Sequence, residues 1–143
     1  MSTLLRGVRP LGGDPADILV VDGVIADIGR LADLPDEQRV DCDGLIALPG
    51  LVDLHTHLRE PGREDAETVL TGTRAAAAGG FTAVHAMANT DPVADTAGVV
   101  EQVWRLGLAS GYCEVRPVGA ITSGLAGGQL AELGAMAESQ AGV

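Results

Sequence analysis

The sequence predicts an α/β chain in which a small β domain precedes a series of βα units. Short apolar runs separated by turn signals fill residues 1–47. From residue 48 onward, apolar runs alternate with segments of helical periodicity, which is typical of βα units. The 143 residues fall short of the roughly 250 that a complete eight-stranded barrel needs. We therefore predict two domains, 1–47 and 48–143, and the second holds three βα units, which is consistent with the opening of a barrel.

The N-terminal domain is predicted to be a set of short strands. Asp22-Gly23 and Asp43-Gly44 are strong turn signals between apolar runs. The predicted strands cover 4–8, 18–21, 24–28 and 39–42, and a longer apolar strand follows over 45–52.

Three helices and two further strands are predicted after this apolar strand. The first helix has apolar residues at helical spacing and ends at Gly79-Gly80. Asp95 or Thr96 is a suitable cap for the second helix, with Val99, Val100, Val103 and Trp104 on its buried side. In chain order the elements are helix 64–78, strand 81–88, a helix from 95 or 96 to 108, strand 112–121, interrupted by Pro117, and helix 129–138.

Composition excludes several classes of partner and location. The net charge of −11 argues against nucleic acid or an anionic membrane as a partner. We also expect no membrane span, since no apolar stretch approaches 18 residues. Cys42 and Cys113 lie in no Cys-x-x-Cys pair, which favours reduced thiols in the cytoplasm. Aromatic residues make up 2% (Phe81, Trp104 and Tyr112), so small aliphatic residues must build the core.

Residues 53–62 carry the strongest functional signal. Side chains alternate along a strand, so Asp53, His55, His57 and, if the strand continues, Arg59 project to one side. Two imidazoles at the end of an apolar strand form a bidentate metal platform, and Arg59 could hold an anionic substrate beside it. The alternative is a pair of solvent-facing loop histidines.

This segment resembles a known family signature. Gly50-Leu-Val-Asp-Leu-His-Thr-His-Leu-Arg-Glu-Pro-Gly62 is similar to the signature of the dihydroorotases in the amidohydrolase superfamily. Residues 75–84 and Met87-Ala-Asn-Thr-Asp-Pro92 agree with it. The resemblance implies a TIM (β/α)8 barrel preceded by part of a small β-sandwich, and the chain ends about a third of the way through this pattern.

The resemblance also implies the chemistry. It implies a zinc-dependent hydrolase with one or two Zn²⁺ that interconverts N-carbamoyl-L-aspartate and dihydroorotate in pyrimidine biosynthesis. A bridging carboxylate, two more histidines and a catalytic aspartate would lie on later strands, so we expect no catalytic residue within 1–143 and no activity from this chain alone.

Site residues follow from the same resemblance. His55 and His57 are predicted metal ligands, and His57, Arg59 and Asn89 are predicted to contact substrate at the carboxyl ends of the strands. Arg59 and Asn89 would bind the ring carboxylate. Alternatively, Arg59 is an ordinary surface charge and Asn89 a turn residue before Asp91-Pro92.

Two other polar residues near this motif have predicted roles. His85 lies about 13 Å down its strand from Asn89 and is interpreted as structural. Asp53 either supports the ligands or fills the barrel floor.

Two other functions remain open. One is a non-catalytic dihydroorotase-like subunit that scaffolds aspartate carbamoyltransferase, which retention of His55-x-His57 disfavours. The other is an amidohydrolase of the allantoinase or dihydropyrimidinase type, whose substrates lack the ring carboxylate, so Arg59 disfavours it. Besides a small-molecule substrate, the partners implied are a second copy of the chain or aspartate carbamoyltransferase.

Overall fold

Pro49 and Gly50 interrupt the apolar run that the sequence predicts as one strand over 45–52. In the computed structural model, which describes residues 1–32, 34–35 and 38–142, this run forms two short strands in different sheets. The chain divides at the same place into units Met1–Pro49 and Gly50–Val143. Proline lacks the N–H that continuous pairing requires, which accounts for the break. The prediction of a single long strand over 45–52 was therefore wrong.

The first unit is a five-stranded sheet with spatial order β3-β2-β1-β4, in which β5 also pairs with β1. Asp22 and Gly23 join β2 to β3 with positive φ angles of 49° and 79°, so the predicted hairpin turn is confirmed. Its core contains Val8, Ile18 and Cys42. The strands are β1 (Ser2–Pro10), β2 (Ala16–Val21), β3 (Val24–Gly29), β4 (Arg39–Asp41) and β5 (Ile46–Ala47).

Asp17 connects three segments of this sheet unit. Its carboxylate accepts hydrogen bonds from the backbone N–H groups of Gly7 (3.0 Å) and Leu31 (3.1 Å). The Arg6 guanidinium lies 3.3 Å from the same carboxylate. These interactions, led by the Leu31 bond and then the Gly7 bond, lower the pKa of Asp17. The charged form of Asp17 is thus part of the folded unit.

The second unit contains a parallel sheet in the order β6-β7-β8, with helices between its strands. Val84 and Val115 from this sheet are buried against Val69 and Val103 from two of the helices. The elements are β6 (Leu51–Thr56), α1 (Val69–Ala78), β7 (Phe81–Ala86), α2 (Ala97–Ser110), β8 (Glu114–Pro117) and α3 (Leu133–Ala137). This unit therefore contains three parallel strands, each followed by a helix.

Helix α1 begins five residues later than predicted. Thr68 and Thr71 form a reciprocal cap, in which each hydroxyl accepts a hydrogen bond from the other residue's backbone N–H. This cap fixes the start of the helix at Val69. The residues before Thr68 form turns instead of a helix. In one of these turns, the Glu64 carboxylate accepts a hydrogen bond from the Gly62 N–H.

The remaining helices also differ from their predicted bounds. Helix α2 has Thr96 as its N-cap residue and continues to Ser110, where Gly111 ends it with a φ of 68°. Val100 and Val103 are buried, as predicted, and Trp104 packs partly against a neighbouring apolar cluster. Asp95 does not cap α2, because its carboxylate accepts the Gly124 N–H at 2.8 Å.

The last strand and helix are shorter than predicted. Strand β8 ends at Pro117, which has no N–H to continue the ladder. The predicted helix 129–138 shrinks to α3, because Leu130 pairs with Thr122 in an isolated bridge. Among the described residues, no helix has the length and apolarity to cross a membrane.

Candidate metal- and substrate-binding site

His55 and His57 lie side by side at the carboxyl end of β6. Their ring centroids are 5.1 Å apart with an interplanar angle of 69°. His55 is exposed, and His57, the residue directly after the strand, is half-buried. Two imidazoles with this spacing and access to solvent can both turn a nitrogen toward one ion. The structure thus brings together the two residues that the sequence predicts as ligands.

Asn89 is joined to His57 by a hydrogen bond. The Oδ1 atom of Asn89 lies 2.8 Å from Nδ1 of His57. Because an amide oxygen only accepts, Nδ1 carries the proton, and Nε2 keeps its lone pair for a metal. Metal-binding histidines commonly engage their second nitrogen in this way. Asn89 follows β7, so this bond also shows that the ends of two neighbouring strands converge.

Asp53 acts on the backbone of the histidine pair. Its carboxylate accepts a hydrogen bond from the His55 N–H at 2.9 Å. This bond is the main cause that holds the pKa of Asp53 below its ordinary value. Of the two roles open for Asp53, support of the predicted ligands fits this contact.

Arg59 does not continue the face formed by the histidines. Strand β6 ends at Thr56, and Arg59 adopts a left-handed conformation with a φ of 62°. The expectation that the strand could continue through Arg59 was therefore wrong. The side chain is exposed, and its guanidinium makes no ion pair with any residue that the structure describes.

His85 is separate from the histidine pair. Its Nδ1 lies 3.3 Å from the backbone oxygen of Asp53, and the ring is half-buried. This contact between neighbouring strands fits the structural role predicted for it.

The loop that carries Arg59 is held at several points. Leu58 is 3% exposed in the core. The Asp91 N–H donates to the Pro61 oxygen at 3.0 Å. Gly62, with a φ of 105°, lies so close to Asp91 that a Cβ atom there would overlap it. These contacts fix the loop against the segment that follows Asn89.

Glu60 is the residue of this loop that the sequence did not reveal. Its Oε2 accepts a hydrogen bond from the Val69 N–H at 2.7 Å, at the first residue of α1. Helix-capping patterns lie within a few residues of the helix start, so an acceptor nine positions away gives no local signal. Only the Glu-Pro-Gly that follows Arg59 in the family signature could have drawn attention to it.

The histidine pair suits a metal, but it is only part of a ligand set. Imidazole nitrogens are ordinary zinc ligands, and Nε2 of His57 bonds to no residue that the structure describes. Across residues 1–32, 34–35 and 38–142, no group of three or more His, Cys, Asp or Glu side chains is arranged to hold an ion. These residues therefore fit a metal as two ligands and leave its other positions to groups outside this set.

Comparison with known sequences identifies close relatives. The profile of a family described as Dihydro-orotase-like matches residues 44–143. The chain is 66% identical over 141 residues to a dihydroorotase of Streptomyces coelicolor, covering 99% of this chain and 33% of the relative. It is 58% identical over 138 residues to a dihydroorotase of Mycobacterium tuberculosis, covering 95% and 32%. The chain thus spans about a third of the length of these curated relatives.

Solved structures show the same fold. The L-hydantoinase (dihydropyrimidinase) of Arthrobacter aurescens has a TM-score of 0.71 at 24% identity, over 84% of this chain and 28% of that one. A crystal structure of a dihydroorotase has a TM-score of 0.53 at 21% identity, over 86% and 32%. Because these neighbours are TIM-barrel enzymes of the amidohydrolase type, the predicted fold class is confirmed.

Proposed function

The chain belongs to the Dihydro-orotase-like family, and from this premise we propose that His55, His57, Arg59 and Asn89 form part of the active site of a dihydroorotase. The proposed reaction is the reversible hydrolysis of the cyclic amide of dihydroorotate to N-carbamoyl-L-aspartate in pyrimidine biosynthesis. The observation that carries it is the exposed Arg59 guanidinium, which forms an ion pair with no described residue and lies in the loop that directly follows the histidine pair.

We assign His55 and His57 as ligands of Zn²⁺, with one or two ions in the complete site. When bound, zinc would polarise the amide carbonyl and lower the pKa of water. The Asn89 oxygen keeps the Nδ1 proton of His57 in place and so presents Nε2 as the ligand atom. The Asp53 carboxylate holds the His55 backbone at the strand end.

Arg59 and Asn89 are proposed to recognise the ring carboxylate of the substrate. A guanidinium binds a carboxylate through two parallel hydrogen bonds. No described residue forms an ion pair with the Arg59 guanidinium. The Asn89 amide uses its oxygen on His57, which leaves its NH₂ group to donate to an anion. His57 would contact the substrate through the metal that it helps to hold.

The test is turnover by the complete protein encoded by the gene that contains this sequence. With zinc, it should hydrolyse dihydroorotate and should not hydrolyse dihydrouracil, which has the same ring without the carboxylate. Preference for dihydrouracil, hydantoin or allantoin would favour the allantoinase or dihydropyrimidinase type instead. Binding to aspartate carbamoyltransferase without any hydrolysis would favour a scaffold subunit.

We also propose that the protein is cytoplasmic and that it associates with a second copy or with aspartate carbamoyltransferase. A cytoplasmic location agrees with Cys42 and Cys113 being free thiols. Self-association and association with aspartate carbamoyltransferase can be separated by light scattering of the complete protein with and without that partner.

A further inference from the structure

Arg59 lies between two anchored residues. Leu58, before it, is 3% exposed and packs against Gly72 near the start of α1, where an added Cβ atom would lie 2.6 Å from Leu58 Cδ2. Glu60, after it, accepts the Val69 N–H through its carboxylate at 2.7 Å. Both neighbours of Arg59 are thus tied to the start of α1, while the guanidinium remains exposed.

The bond from Glu60 is additional to the ordinary cap of α1. Thr68 and Thr71 already satisfy each other's backbone N–H groups at this helix end. The first N–H groups of a helix have no acceptor within the helix and attract a negative charge. Glu60 uses one of these groups to connect the Arg59 loop to a rigid element.

This connection bears on the backbone of Arg59. A left-handed residue other than glycine is disfavoured by roughly 1–2 kcal/mol and needs surrounding contacts to hold it. The Arg63 N–H donates to the Arg59 oxygen at 2.8 Å and closes the turn that begins at Arg59. The Glu60 carboxylate anchors the residue that directly follows Arg59 in this turn. Since the direction of the Cα–Cβ bond follows from the backbone angles, and these angles also restrict the rotamers, these contacts set where the Arg59 side chain leaves the loop.

We propose that Glu60 is a positioning residue that acts through Arg59, by bonding the Val69 N–H and so holding the Arg59 backbone in its left-handed conformation. This inference rests on the proposed role of Arg59 in carboxylate recognition. Glu60 itself does not contact substrate in this proposal.

A double-mutant cycle in the complete protein tests whether Glu60 acts through Arg59. Glu60→Ala should lower kcat/KM for dihydroorotate about tenfold, mostly through KM, because a hydrogen bond to a charged group is lost. Glu60→Gln keeps an acceptor oxygen and should restore most of the loss. In an Arg59→Met background, Glu60→Ala should change kcat/KM by less than about twofold.

Thr68→Ala is the matched control, because it removes a cap from the same helix without touching the Arg59 loop. It should lower the melting temperature but have the same kinetic effect with and without Arg59. A loss from Glu60→Ala that is equally large in the Arg59→Met background would overturn the inference, and so would equal coupling of Thr68 to Arg59.

Amide hydrogen exchange without substrate separates this inference from the proposed function. Glu60→Ala should speed exchange at the Val69 amide and across residues 58–63, and Glu60→Gln should do so much less. Unchanged protection would refute the anchoring role even in an active enzyme. If wild-type protein does not hydrolyse dihydroorotate, the proposed function fails, while exchange still decides whether Glu60 holds this loop.

Discussion

The Asn89 Oδ1 atom accepts a hydrogen bond from His57 Nδ1 over 2.8 Å, and this bond joins the ends of neighbouring strands β6 and β7. Each partner has a second polar group that this hydrogen bond does not use. His57 keeps Nε2, and Asn89 keeps its NH₂ group. One contact therefore couples the proposed metal ligand to the proposed carboxylate donor.

Substitutions at Asn89 should separate these two roles in the complete protein. Asn89→Asp keeps an acceptor for His57 Nδ1, so zinc affinity should stay near wild type, while its negative charge should repel dihydroorotate. Asn89→Leu removes the acceptor and should weaken zinc binding about 10- to 100-fold. Zinc competition titration and KM measure the two effects. Equal zinc affinity in both variants would contradict the role of the hydrogen bond.

His55 and His57 should bind metal as a pair. Replacing both by Ala in the complete protein should remove zinc and nearly abolish turnover, because imidazole nitrogens supply two of its ligands. Elemental analysis gives the zinc content. His85→Gln is the control, since His85 contacts the Asp53 backbone and should not affect zinc. Full zinc content in the double variant would refute the ligand assignment.

Arg59 should determine the preference for a carboxylate-bearing substrate. Arg59→Met should cost about 2–4 kcal/mol of transition-state binding, or roughly 30- to 1000-fold in kcat/KM. Arg59→Lys should not restore it, because an ammonium cannot form two parallel bonds. Arg63→Met removes a charge from the same loop and should have little effect. Wild-type efficiency of Arg59→Met would make the substrate assignment wrong.

Asp17 should make the first unit sensitive to acid. Its pKa is lowered in the folded state, so its contribution is fully present above the ordinary Asp pKa of about 3.9 and is lost as the pH falls through the folded-state value. Asp17→Asn should reduce stability at pH 7 by about 1–3 kcal/mol and flatten this acid dependence. Denaturant unfolding followed by far-UV circular dichroism at pH 7 and pH 3 measures both effects. The exposed Asp14→Asn should behave as wild type.

Two glycines of α2 should respond oppositely to alanine. A Cβ atom at Gly107 would lie 2.5 Å from Cβ of Val115, so Gly107→Ala should destabilise the protein by about 1–3 kcal/mol. A Cβ atom at Gly98 would meet nothing within 4 Å, so Gly98→Ala should be neutral or stabilise by up to about 1 kcal/mol. Melting temperatures provide the comparison, and equal effects would contradict this packing of α2 on β8.

Alternation along a strand and convergence of parallel strand ends were enough to predict the neighbours His55, His57 and Asn89. The position of Arg59 could not be predicted in this way, because its left-handed backbone lies in a loop that Leu58 and Glu60 connect to the start of α1. Tertiary pairing also overrode local periodicity at Leu130, which shortened the third helix. Turn residues predicted the hairpin at Asp22-Gly23 because the signal lies in adjacent residues. The bond from Val69 to Glu60 could not be predicted, because the two residues are far apart in the sequence.

The placement of the aromatic residues has a practical consequence for spectroscopy. Within these 143 residues, Phe81, Trp104 and Tyr112 all belong to the unit Gly50–Val143. Absorbance at 280 nm and tryptophan fluorescence of this chain therefore report on the surroundings of α2 and are blind to the sheet of residues 1–49. A peptide of residues 1–49 alone would need detection through its peptide bonds. A tryptophan introduced at Val24, which is 68% exposed, would give that sheet an optical probe of its own.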